Sequence, residues 1–506
     1  MIPLLMYRMG NKNMKRLIKG RLAALVFAAG LLCTGTRYSL AESAAPPQSQ
    51  GDKTVALLKK LIAFDTSNGP GDTRALAEYL KSQFEPLGAE VEIFVAPNGK
   101  AAHFIARLRG DGSKKPVLLA AHADVVPVER EKWTVEPFAG VEKDGFVYGR
   151  GAMDFKGGLA VFARAVMRLA EEKTPLARDV IFMAEADEEQ GQYSTVWLAR
   201  NHWDKIDAEF ALNEGGYVLQ GRDGTVRQIN VTTADKLSAT FALKATGRSG
   251  HSSRPFPPGE MANDRLIAAL AKLAAHDPAV KLVPATEAYF RALLPISSEQ
   301  TVSDIKQLLN AKDQTDLEAA GKKLVADNPK DGLLLHALLR DTMVITMIEA
   351  GIKPNVIPGD AKAIVNTRLL PGTTADQMIA EIKAAIGDPD IEVSLVTPLT
   401  QQEARDIYLK RTNAPPSPVD TALYAALDRN AKLMWKDAVL VPTLFEAGTD
   451  AMAWREHNVP VYGIYPYPLD DDILSRMHGN DERIGVEAIK QGSEWIYNTL
   501  REVAKK

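Results

Sequence analysis

Short apolar runs alternate with segments of helical periodicity between residue 53 and about residue 235, and this alternation decides the fold class. The runs "KPVLLAA" and "RDVIFMAE" are short and apolar, and "GGLAVFARAVMRLAEE" between them has its apolar residues at helical spacing. Such short runs suit strands that are buried on both faces of a parallel sheet. Strands that alternate with helices therefore predict a mainly parallel α/β sheet.

The pattern changes near residue 238 and returns after about residue 398. In between, "LSATFALKATG" and "DAKAIVNTRLLPG" predict strands, "EMANDRLIAALAKLAA" and "TADQMIAEIKAAIG" predict helices, and a polar helical stretch fills residues 285–345. After residue 398, "DTALYAALDRNAKLM" and "PVYGIYPY" restore the alternation, and a last helix begins at Val486. We predict one α/β domain, residues 42–237 and 398–506, that is interrupted by a smaller α+β domain, residues 238–397.

The first 41 residues differ in composition from the rest of the chain. Six basic residues precede an apolar run of 11 residues, Leu22–Leu32, and a small-x-small cleavage site follows at Ser39-Leu40-Ala41. A bilayer span needs about 20 apolar residues, so the run is too short to cross a membrane. This pattern predicts a signal peptide over residues 1–41 and a secreted, periplasmic protein. A core helix and a retained membrane anchor are the alternatives.

Net charge and cysteine content limit the remaining classes. The formal net charge is −3, so no basic surface favours nucleic acid as a partner. Cys33 is the one cysteine, and it lies in the predicted signal peptide. The mature chain would then have no disulfide, no thiolate nucleophile and no cysteine ligand. Cleavage of the signal peptide would also remove the apolar run, so we expect no stable membrane insertion. Lipidation of Cys33, which would give a surface-anchored protein, remains an alternative.

Residue types that bind metals follow several of the predicted strands. The strand in "LLAAHADVVPV" ends in His122, Glu188 and Glu189 follow "VIFMAEAD", Glu214 follows "FALN", Asp154 lies in "GRGAMDFKGG", and His478 lies in "MHGNDER". Each alone could be structural, as a strand-end histidine, a helix cap or a solvated acid. In open α/β sheets, however, ligands bind outside the carboxyl ends of the strands. The whole set suits a dication such as zinc, and burying so many acids without a cation would be costly.

Longer motifs around these residues carry a resemblance to a known family. They are "LAAHADVVPV", "WTVEPFAGVEKDGFVYGRGAMDFKGG", "EADEEQG", "NEGG", "GRSGHSSRP", "NVIPGDAKAIVNTRLLPG", "GTDA" and "MHGNDERI", in this order over about residues 53–500. With them the chain resembles the di-zinc exopeptidase and deacylase family that includes carboxypeptidase S, aminoacylase, glutamate carboxypeptidase and acetylornithine deacetylase. The resemblance implies a parallel-sheet catalytic domain and an inserted lid domain of the kind that dimerises.

The resemblance assigns the metal ligands residue by residue. Asp154 would bridge two zinc ions, with cobalt or manganese as the other candidates. His122 and Glu214 would complete one site, and Glu189 and His478 would complete the other. The carboxylate of Asp124 would hydrogen-bond the far nitrogen of His122 and fix its tautomer. The peptide bond between Asp154 and Phe155 is expected to be cis.

The resemblance also assigns the residues that act on the substrate. Glu188 would be the general base, His251 would stabilise the oxyanion, Asn355 and Arg368 would bind the substrate carboxylate, and Gly448 would present its backbone to the substrate. The chain has Asn366 where the family commonly has aspartate, which affects how Arg368 is oriented. His103, His202, His276, His336 and His457 match no motif and are interpreted as structural.

These observations predict a secreted di-zinc hydrolase that cleaves an amide bond next to a free carboxylate. A dipeptide, the C-terminal residue of a peptide and an N-acyl amino acid all fit this description. A narrow-specificity amino-acid deacetylase is one alternative, and a non-catalytic binding protein on the same fold is another. The presence of Glu188 disfavours the binding protein, since binding needs no base. In dimeric members of the family His251 comes from the neighbouring subunit, so a homodimer through the lid domain remains open.

Overall fold

The computed structural model describes residues 49–69 and 71–506. The predicted signal peptide over residues 1–41, with Cys33, lies outside the described residues. Up to residue 236 the helices are α1 (Gln50–Ile62), α2 (Arg74–Phe84), α3 (Lys156–Glu171) and α4 (Thr195–Ile206), with 3₁₀ turns at Glu85–Leu87 and Arg130–Lys132. The strands of this part are β1 (Glu90–Val95), β2 (Ala102–Leu108), β3 (Val117–His122), β4 (Val141–Lys143), β5 (Phe146–Tyr148), β6 (Val180–Glu185), β7 (Phe210–Gln220) and β8 (Val226–Asp235).

Two further groups of elements follow along the chain. The middle group is β9 (Leu237–Thr246), β10 (Gly250–His251), α5 (Ala262–Ala275), α6 (Pro284–Leu293), α7 (Glu299–Leu309), α8 (Gln314–Asp327), α9 (Gly332–Leu339), β11 (Thr342–Ala350), β12 (Val356–Ile357), β13 (Asp360–Leu369), α10 (Ala375–Ile386) and β14 (Glu392–Leu395). The last group is α11 (Gln401–Thr412), α12 (Ala422–Met434), β15 (Val439–Phe445), α13 (Met452–Arg455), β16 (Val461–Leu469), α14 (Asp471–Leu474), β17 (Arg483–Gly485) and α15 (Val486–Ala504).

The large sheet has eight strands in the order β1-β2-β6-β3-β7-β16-β8-β15. Its centre is parallel, since β3 pairs with β6 and β7, and β7 pairs with β16. Antiparallel pairing is found at β1–β2, β2–β6 and the β7–β8 hairpin. The predicted mainly parallel α/β sheet is confirmed, and its central strands β3, β6 and β16 are buried along their whole length.

Helices cover both faces of this sheet, and the alternation of side chains along β3 shows why. Val117 and Leu119 point into the core that α1, α3, α12 and α15 share. Leu118 and Ala120 point into a second core that includes Trp454 and residues of α4. Because successive side chains of a strand face opposite sides, a strand between two helical layers must be apolar throughout.

Strand β7 differs from the sequence prediction, because it does not end before Glu214. It continues to Gln220 and turns back into β8. The register between β7 and β16 shifts, with Asn213 opposite Gly463 and Gly216 opposite Ile464. Glu214 and Gly215 therefore form a bulge within the strand, and Gly215 has a positive φ of 140°. A bulge of this kind re-aims a side chain, here towards the edge of the sheet.

A four-stranded antiparallel sheet, β11-β13-β9-β14, lies in the middle of the chain. Helices α5 and α10 pack on one face of it and close a separate apolar core. This part matches the predicted α+β character, while the domain boundaries at residues 237 and 397 remain predictions. Helices α6–α9 pack elsewhere, in a core that they share with Val441 and Leu444 of β15. None of the described helices is both long and apolar enough to cross a membrane.

Candidate metal centre

Two groups of potential metal ligands share Asp154. The Nε2 atom of His122 lies 3.2 Å from Asp154 Oδ1 and 3.3 Å from Glu214 Oε2. The Nε2 atom of His478 lies 2.9 Å from Asp154 Oδ2 and 3.2 Å from Glu189 Oε1. Within each group the ligand atoms all lie within 4.8 Å of one another. The structure thus brings together all five residues that the sequence predicted as ligands, with Asp154 between the two histidines.

The backbone around Asp154 is held by a buried carboxylate, Glu482. Glu482 accepts hydrogen bonds from the backbone N–H of Met153 at 2.8 Å and of Asp154 at 3.0 Å. Its second oxygen accepts from Arg150 Nη1 at 2.7 Å. The peptide bond from Asp154 to Phe155 is cis, as the resemblance implied. Antiparallel pairing of β17 with β5 fixes the segment of His478 and Glu482 beside the loop of Asp154.

Asp124 is buried beside His122, but its carboxylate does not have the expected contact. The backbone carbonyl of Asp124 accepts from His122 Nδ1 at 2.9 Å, whereas the carboxylate oxygen is 3.9 Å away. The two carboxylate oxygens instead accept from the backbone N–H of Glu188 at 3.1 Å and of Glu189 at 3.2 Å. The backbone therefore fixes the tautomer of His122, and the side chain of Asp124 positions the Glu188–Glu189 segment.

The cluster carries more carboxylates than its histidines can balance. Burial opposes a charge on His122, but Glu214 and Asp154 beside it hold the pKa of its imidazole well above the ordinary value. Burial raises the pKa of Glu214 to about 7, against the opposing effect of His122. Burial and then the nearby Glu214 raise the pKa of Glu188 well above its ordinary value. These shifts indicate a strong preference for additional positive charge at the cluster.

The donor set fits divalent metal ions. Among the described residues no lysine or arginine forms an ion pair with Glu214, whose partner is His122. Imidazole nitrogens and carboxylate oxygens are the ligands of zinc and of related divalent ions. Asp154 offers one oxygen to each histidine, as a carboxylate between two ions would. The two groups can therefore hold two ions, with Asp154 shared between them.

In the described part of the chain, His251, Asn355 and Arg368 form no hydrogen bond or ion pair with this cluster. His251 is exposed on β10, and its ring hydrogen-bonds Ser253 at 2.8 Å. Asn355 is exposed next to β12, and its backbone carbonyl accepts from Ser252 at 3.2 Å. Arg368 is half-buried on β13, and burial lowers the pKa of its guanidinium.

Gly448 and Glu188 both line one cavity, which lies beside α11. Asn366, which replaces the expected aspartate on β13, donates from its side-chain amide to Thr240 Oγ1 at 3.2 Å. It therefore holds a neighbouring strand and makes no hydrogen bond to Arg368 in the described part of the chain.

Two contributors to the cluster were missed by the sequence analysis. Tyr465 is buried on β16, and its hydroxyl donates to Asp154 Oδ1 at 2.8 Å. Glu482 lies within the quoted motif "MHGNDERI" but was assigned no role. The motif could have pointed to Glu482, whereas a tyrosine in an apolar strand looks like an ordinary core residue.

A comparison of the whole sequence with family models gives a match over residues 118–502, described as Peptidase family M20/M25/M40. The match covers most of the chain, including every residue of the cluster. The chain belongs to this family. As a member of the M20/M25/M40 family it is a hydrolase, as the sequence predicted, and the recognised resemblance is confirmed.

Two curated relatives from this family illustrate its range. The chain is 27% identical over 437 residues to a Dictyostelium discoideum protein described as "Probable carboxypeptidase S-like 2", covering 85% of this chain and 79% of that protein. It is 26% identical over 490 residues to the mouse "N-fatty-acyl-amino acid synthase/hydrolase PM20D1", covering 92% of this chain and 91% of that protein. One relative is thus named for a peptidase and the other for an N-acyl amino acid hydrolase.

Solved structures of M20 proteins share the fold. The metallo-carboxypeptidase Sso-CP2 of Sulfolobus solfataricus superposes with a TM-score of 0.63 at 17% identity, over 89% of this chain and 99% of that one. The YXEP protein of Bacillus subtilis, titled a dinuclear metal binding peptidase, superposes with a TM-score of 0.53 at 12% identity, over 89% of this chain and 98% of that one. At these identities the likeness concerns the fold, and the roles of individual residues depend on the geometry of this chain.

Proposed function

We propose that this protein is a di-zinc amidohydrolase that cleaves an amide bond next to a free carboxylate. The observation that carries the proposal is the shared position of Asp154 between two groups of ligands, one with His122 and Glu214 and the other with Glu189 and His478. When bound, two zinc ions in such a site supply Lewis acidity to the attacking water and to the scissile carbonyl. Cobalt and manganese suit the same donors.

Glu188 is the general base of the proposal. It follows β6 directly, and its backbone is held by the carboxylate of Asp124. Its raised pKa, which follows from burial and from Glu214, brings proton uptake closer to neutral pH. The carboxylate accepts a proton as water adds to the carbonyl carbon. It then donates this proton to the leaving amine as the C–N bond breaks.

The inserted domain supplies the remaining groups of the proposal. Ser253 donates its backbone N–H to His251 Nδ1 at 3.2 Å, so neutral His251 carries its proton on Nε2 and can donate to an oxyanion. Arg368 forms no ion pair with another described residue, and a half-buried unpaired guanidinium suits a substrate carboxylate. Asn355 and the backbone of Gly448 are proposed to bind the same carboxylate. Because His251 and Asn355 lie on the inserted domain, a partner subunit could supply them in a homodimer.

The substrate is either a small peptide or an N-acyl amino acid. The names of the two curated relatives support both classes, and a narrow amino-acid deacetylase fits the same chemistry. A secreted, periplasmic location is part of the proposal and depends on the leader sequence alone. The mass of the mature N-terminus tests the cleavage after Ala41.

Amine release by the zinc-loaded mature protein is the first test. The panel holds dipeptides, N-acetyl amino acids and long-chain N-acyl amino acids, each as the free acid and as the C-terminal amide, with and without a chelator. We expect chelator-sensitive release from free acids and little release from amides. Equal cleavage of acids and amides would remove the carboxylate requirement. A protein that binds two zinc ions and releases no amine would contradict the proposed reaction.

Changing Glu188 to glutamine separates a base from a ligand. Glutamine keeps the shape of the side chain but cannot take up a proton, so we expect two bound zinc ions and a loss of kcat of at least about a hundredfold. Metal content by elemental analysis and kcat on the best substrate are the two measurements. Loss of zinc from the variant would reassign Glu188 as a ligand, an arrangement in which it would join His122 and Glu189.

A further inference from the structure

The cavity shared by Glu188 and Gly448 has a volume of about 570 Å³, and most of its wall is apolar. Helix α4 contributes Trp197, and α13 contributes Met452. Leu399, two residues before α11, and Tyr408, on α11, also line the cavity. This volume lies within the usual range of small-molecule sites, which is roughly 300 to 1,000 Å³.

The chemistry of Glu188 indicates which part of the substrate enters this cavity. In the proposed reaction Glu188 returns its proton to the leaving amine, so groups beside it line the amine side of the scissile bond. Ser238 also lines the cavity, and it is the direct cross-strand partner of Arg368. Directly opposed residues of a sheet project to the same face, so the proposed carboxylate anchor borders the cavity. A leaving amino acid would thus have its amine at Glu188 and its carboxylate towards Arg368.

Two aromatic side chains of the wall are held by contacts with their neighbours. The ring of Trp197 is stacked on His103 at 5.7 Å and meets Tyr193 edge-on at 6.3 Å. The hydroxyl of Tyr408 donates to the backbone carbonyl of Ser238 at 3.2 Å. A wall that is held in place before binding loses little conformational entropy when a ligand packs against it, which favours selective binding.

Three charged side chains of the lining, those of Asp235, Lys236 and Arg411, are already engaged, whereas Arg200 is exposed and forms no ion pair with another described residue. The carboxylate of Asp235 forms a buried ion pair with Arg455 at 2.6 Å. The ammonium of Lys236 donates to the carbonyls of Ala337 and Arg340 at 2.8 and 2.7 Å, and the guanidinium of Arg411 donates to Glu456 at 2.7 Å. Apart from Glu188, which is the proposed base, the acids of the lining are the paired Asp235 and the buried Asp450, so neither is an accessible partner for a cationic ligand side chain.

We propose that this cavity is the pocket for the side chain of the leaving amino acid, and that it selects large apolar side chains such as those of phenylalanine and leucine. The inference rests on the proposed amidohydrolase function and specifies its substrate class on the amine side. The side chain packs against Trp197, Leu399, Tyr408 and Met452, while the α-carboxylate binds outside the cavity.

The test compares N-acetyl derivatives of glycine, leucine, phenylalanine, lysine and glutamate with the zinc-loaded protein. Burial of a large apolar side chain favours binding in proportion to the apolar area removed from water. We therefore expect kcat/KM for N-acetylphenylalanine to exceed that for N-acetylglycine by at least about tenfold. A preference for the glutamate or lysine derivative, or a phenylalanine-to-glycine ratio of kcat/KM near one, would contradict the proposed selectivity of the pocket.

A matched pair of variants assigns the preference to this wall. Leu399 is 46% exposed and lines the cavity, whereas Leu409 is 48% exposed on α11 and does not line it. We expect L399N to lower the phenylalanine-to-glycine ratio of kcat/KM by at least about fivefold, and L409N to leave the ratio within about twofold. Equal changes in the two variants would overturn the assignment. Both positions are exposed enough for the polar side chain to be tolerated.

Direct binding separates a failure of the pocket from a failure of the proposed function. Calorimetry on zinc-loaded E188Q, with and without L399N, compares the Kd of N-acetylphenylalanine with that of N-acetylglycine. The wild type could release no amine while E188Q binds N-acetylphenylalanine at least about tenfold more tightly than N-acetylglycine. That result would contradict the proposed reaction and support the proposed pocket. If amines are released and neither kcat/KM nor Kd depends on the side chain, the result supports the proposed reaction and contradicts the proposed pocket.

Discussion

His103 is a buried histidine that matches none of the motifs, and the structure gives it the structural role that was predicted. Its Nε2 atom lies 2.8 Å from the carbonyl of Tyr193, and its Nδ1 atom accepts the backbone N–H of Ala186 at 3.2 Å. Burial lowers the pKa of this imidazole to about 4, despite the opposing hydrogen bond to Tyr193, and His202 adds to the lowering. His103 is therefore neutral in the folded protein at neutral pH.

This shift predicts a stability that depends on pH between about 4 and 6.5. An unfolded histidine takes up a proton near pH 6.5, whereas folded His103 does so only near 4, so the unfolded state binds more protons in this window. The contribution of neutral His103 to the unfolding free energy is fully present above pH 6.5, and it is lost as the pH falls towards 4. We expect the wild type to lose about 2 to 3 kcal/mol more unfolding free energy than His103→Gln between pH 7 and pH 4.5.

Denaturant unfolding at several pH values measures this difference. Glutamine can keep both hydrogen bonds of His103, and it removes the titration together with the stacking on Trp197. The comparison of pH dependence isolates the titration, because the loss of neutral stacking lowers stability by a similar amount at every pH. The variant His457→Gln, at an exposed position, controls for the loss of a histidine elsewhere in the chain. Parallel losses of stability in the wild type and His103→Gln would show that His103 does not cause the pH dependence.

Other residues show how far sequence reasoning reaches at this scale. His122 and His478 were predictable as neighbours, because they follow β3 and β16 of one sheet and such residues meet at its edge. Asp154 follows β5 of a separate sheet, so its place beside them was implied by the family motif and not by the order of strands. Tyr465 was not predictable, because its contact with Asp154 depends on the order of strands in the sheet. The carboxylate of Asp124 was expected to hydrogen-bond His122, but it accepts the backbone N–H of Glu188 instead. The sequence does not show which backbone N–H groups lie within reach of a carboxylate.

At the scale of elements, periodicity located most helices and strands, and its failures have physical causes. The final helix begins at Val486, as predicted. Strand β7 was cut short because Glu214 and two glycines read as the end of a strand, whereas the chain uses them as a bulge. Helix α11 was missed because its sequence, "QQEARDIYLKRT", has mostly polar residues and only Ala404 and Thr412 are buried.

The packing of α15 on β16 depends on one glycine. A Cβ at Gly492 would lie 1.9 Å from the backbone oxygen of Pro466, which a rotamer change cannot relieve. Overpacking usually costs 1 to 3 kcal/mol, and contact with a fixed backbone places the cost at the upper end. We expect Gly492→Ala to lower the unfolding free energy by about 3 kcal/mol in denaturant melts.

Another helical glycine provides the control for this substitution. At Gly332, in α9, the nearest atom to an added Cβ is a backbone oxygen at 3.4 Å, which is an ordinary contact. Alanine has the higher helix propensity, so Gly332→Ala should leave stability unchanged or raise it by up to about 1 kcal/mol. A similar loss in both variants would mean that the close approach to β16 is not the cause.

At the scale of the molecule, the sequence predicted a sheet interrupted by an insertion but not how the insertion packs. Residues 285–345 read as a polar helical stretch of the inserted domain. In the structure α6–α9 join the core of β15, through Leu444 and Val441, instead of the core of the four-stranded sheet. Polarity and periodicity show that a helix has an apolar face, but they do not show which of two cores receives it.

The candidate metal centre connects distant parts of the chain, so an ion bound there should affect the stability of the whole protein. Its proposed ligands run from His122 at the end of β3 to His478 before β17, with the predicted insertion between them. A ligand that binds only the folded state adds about 2.7 kcal/mol to the free energy of unfolding at a free concentration of 100 times its Kd.

We expect added zinc to raise the thermal midpoint of the wild type and a chelator to reverse the rise. Asp154→Ala, which removes the shared ligand, should bind no zinc pair and show neither shift. A midpoint that zinc leaves unchanged in the wild type would mean that the cluster does not bind the ion.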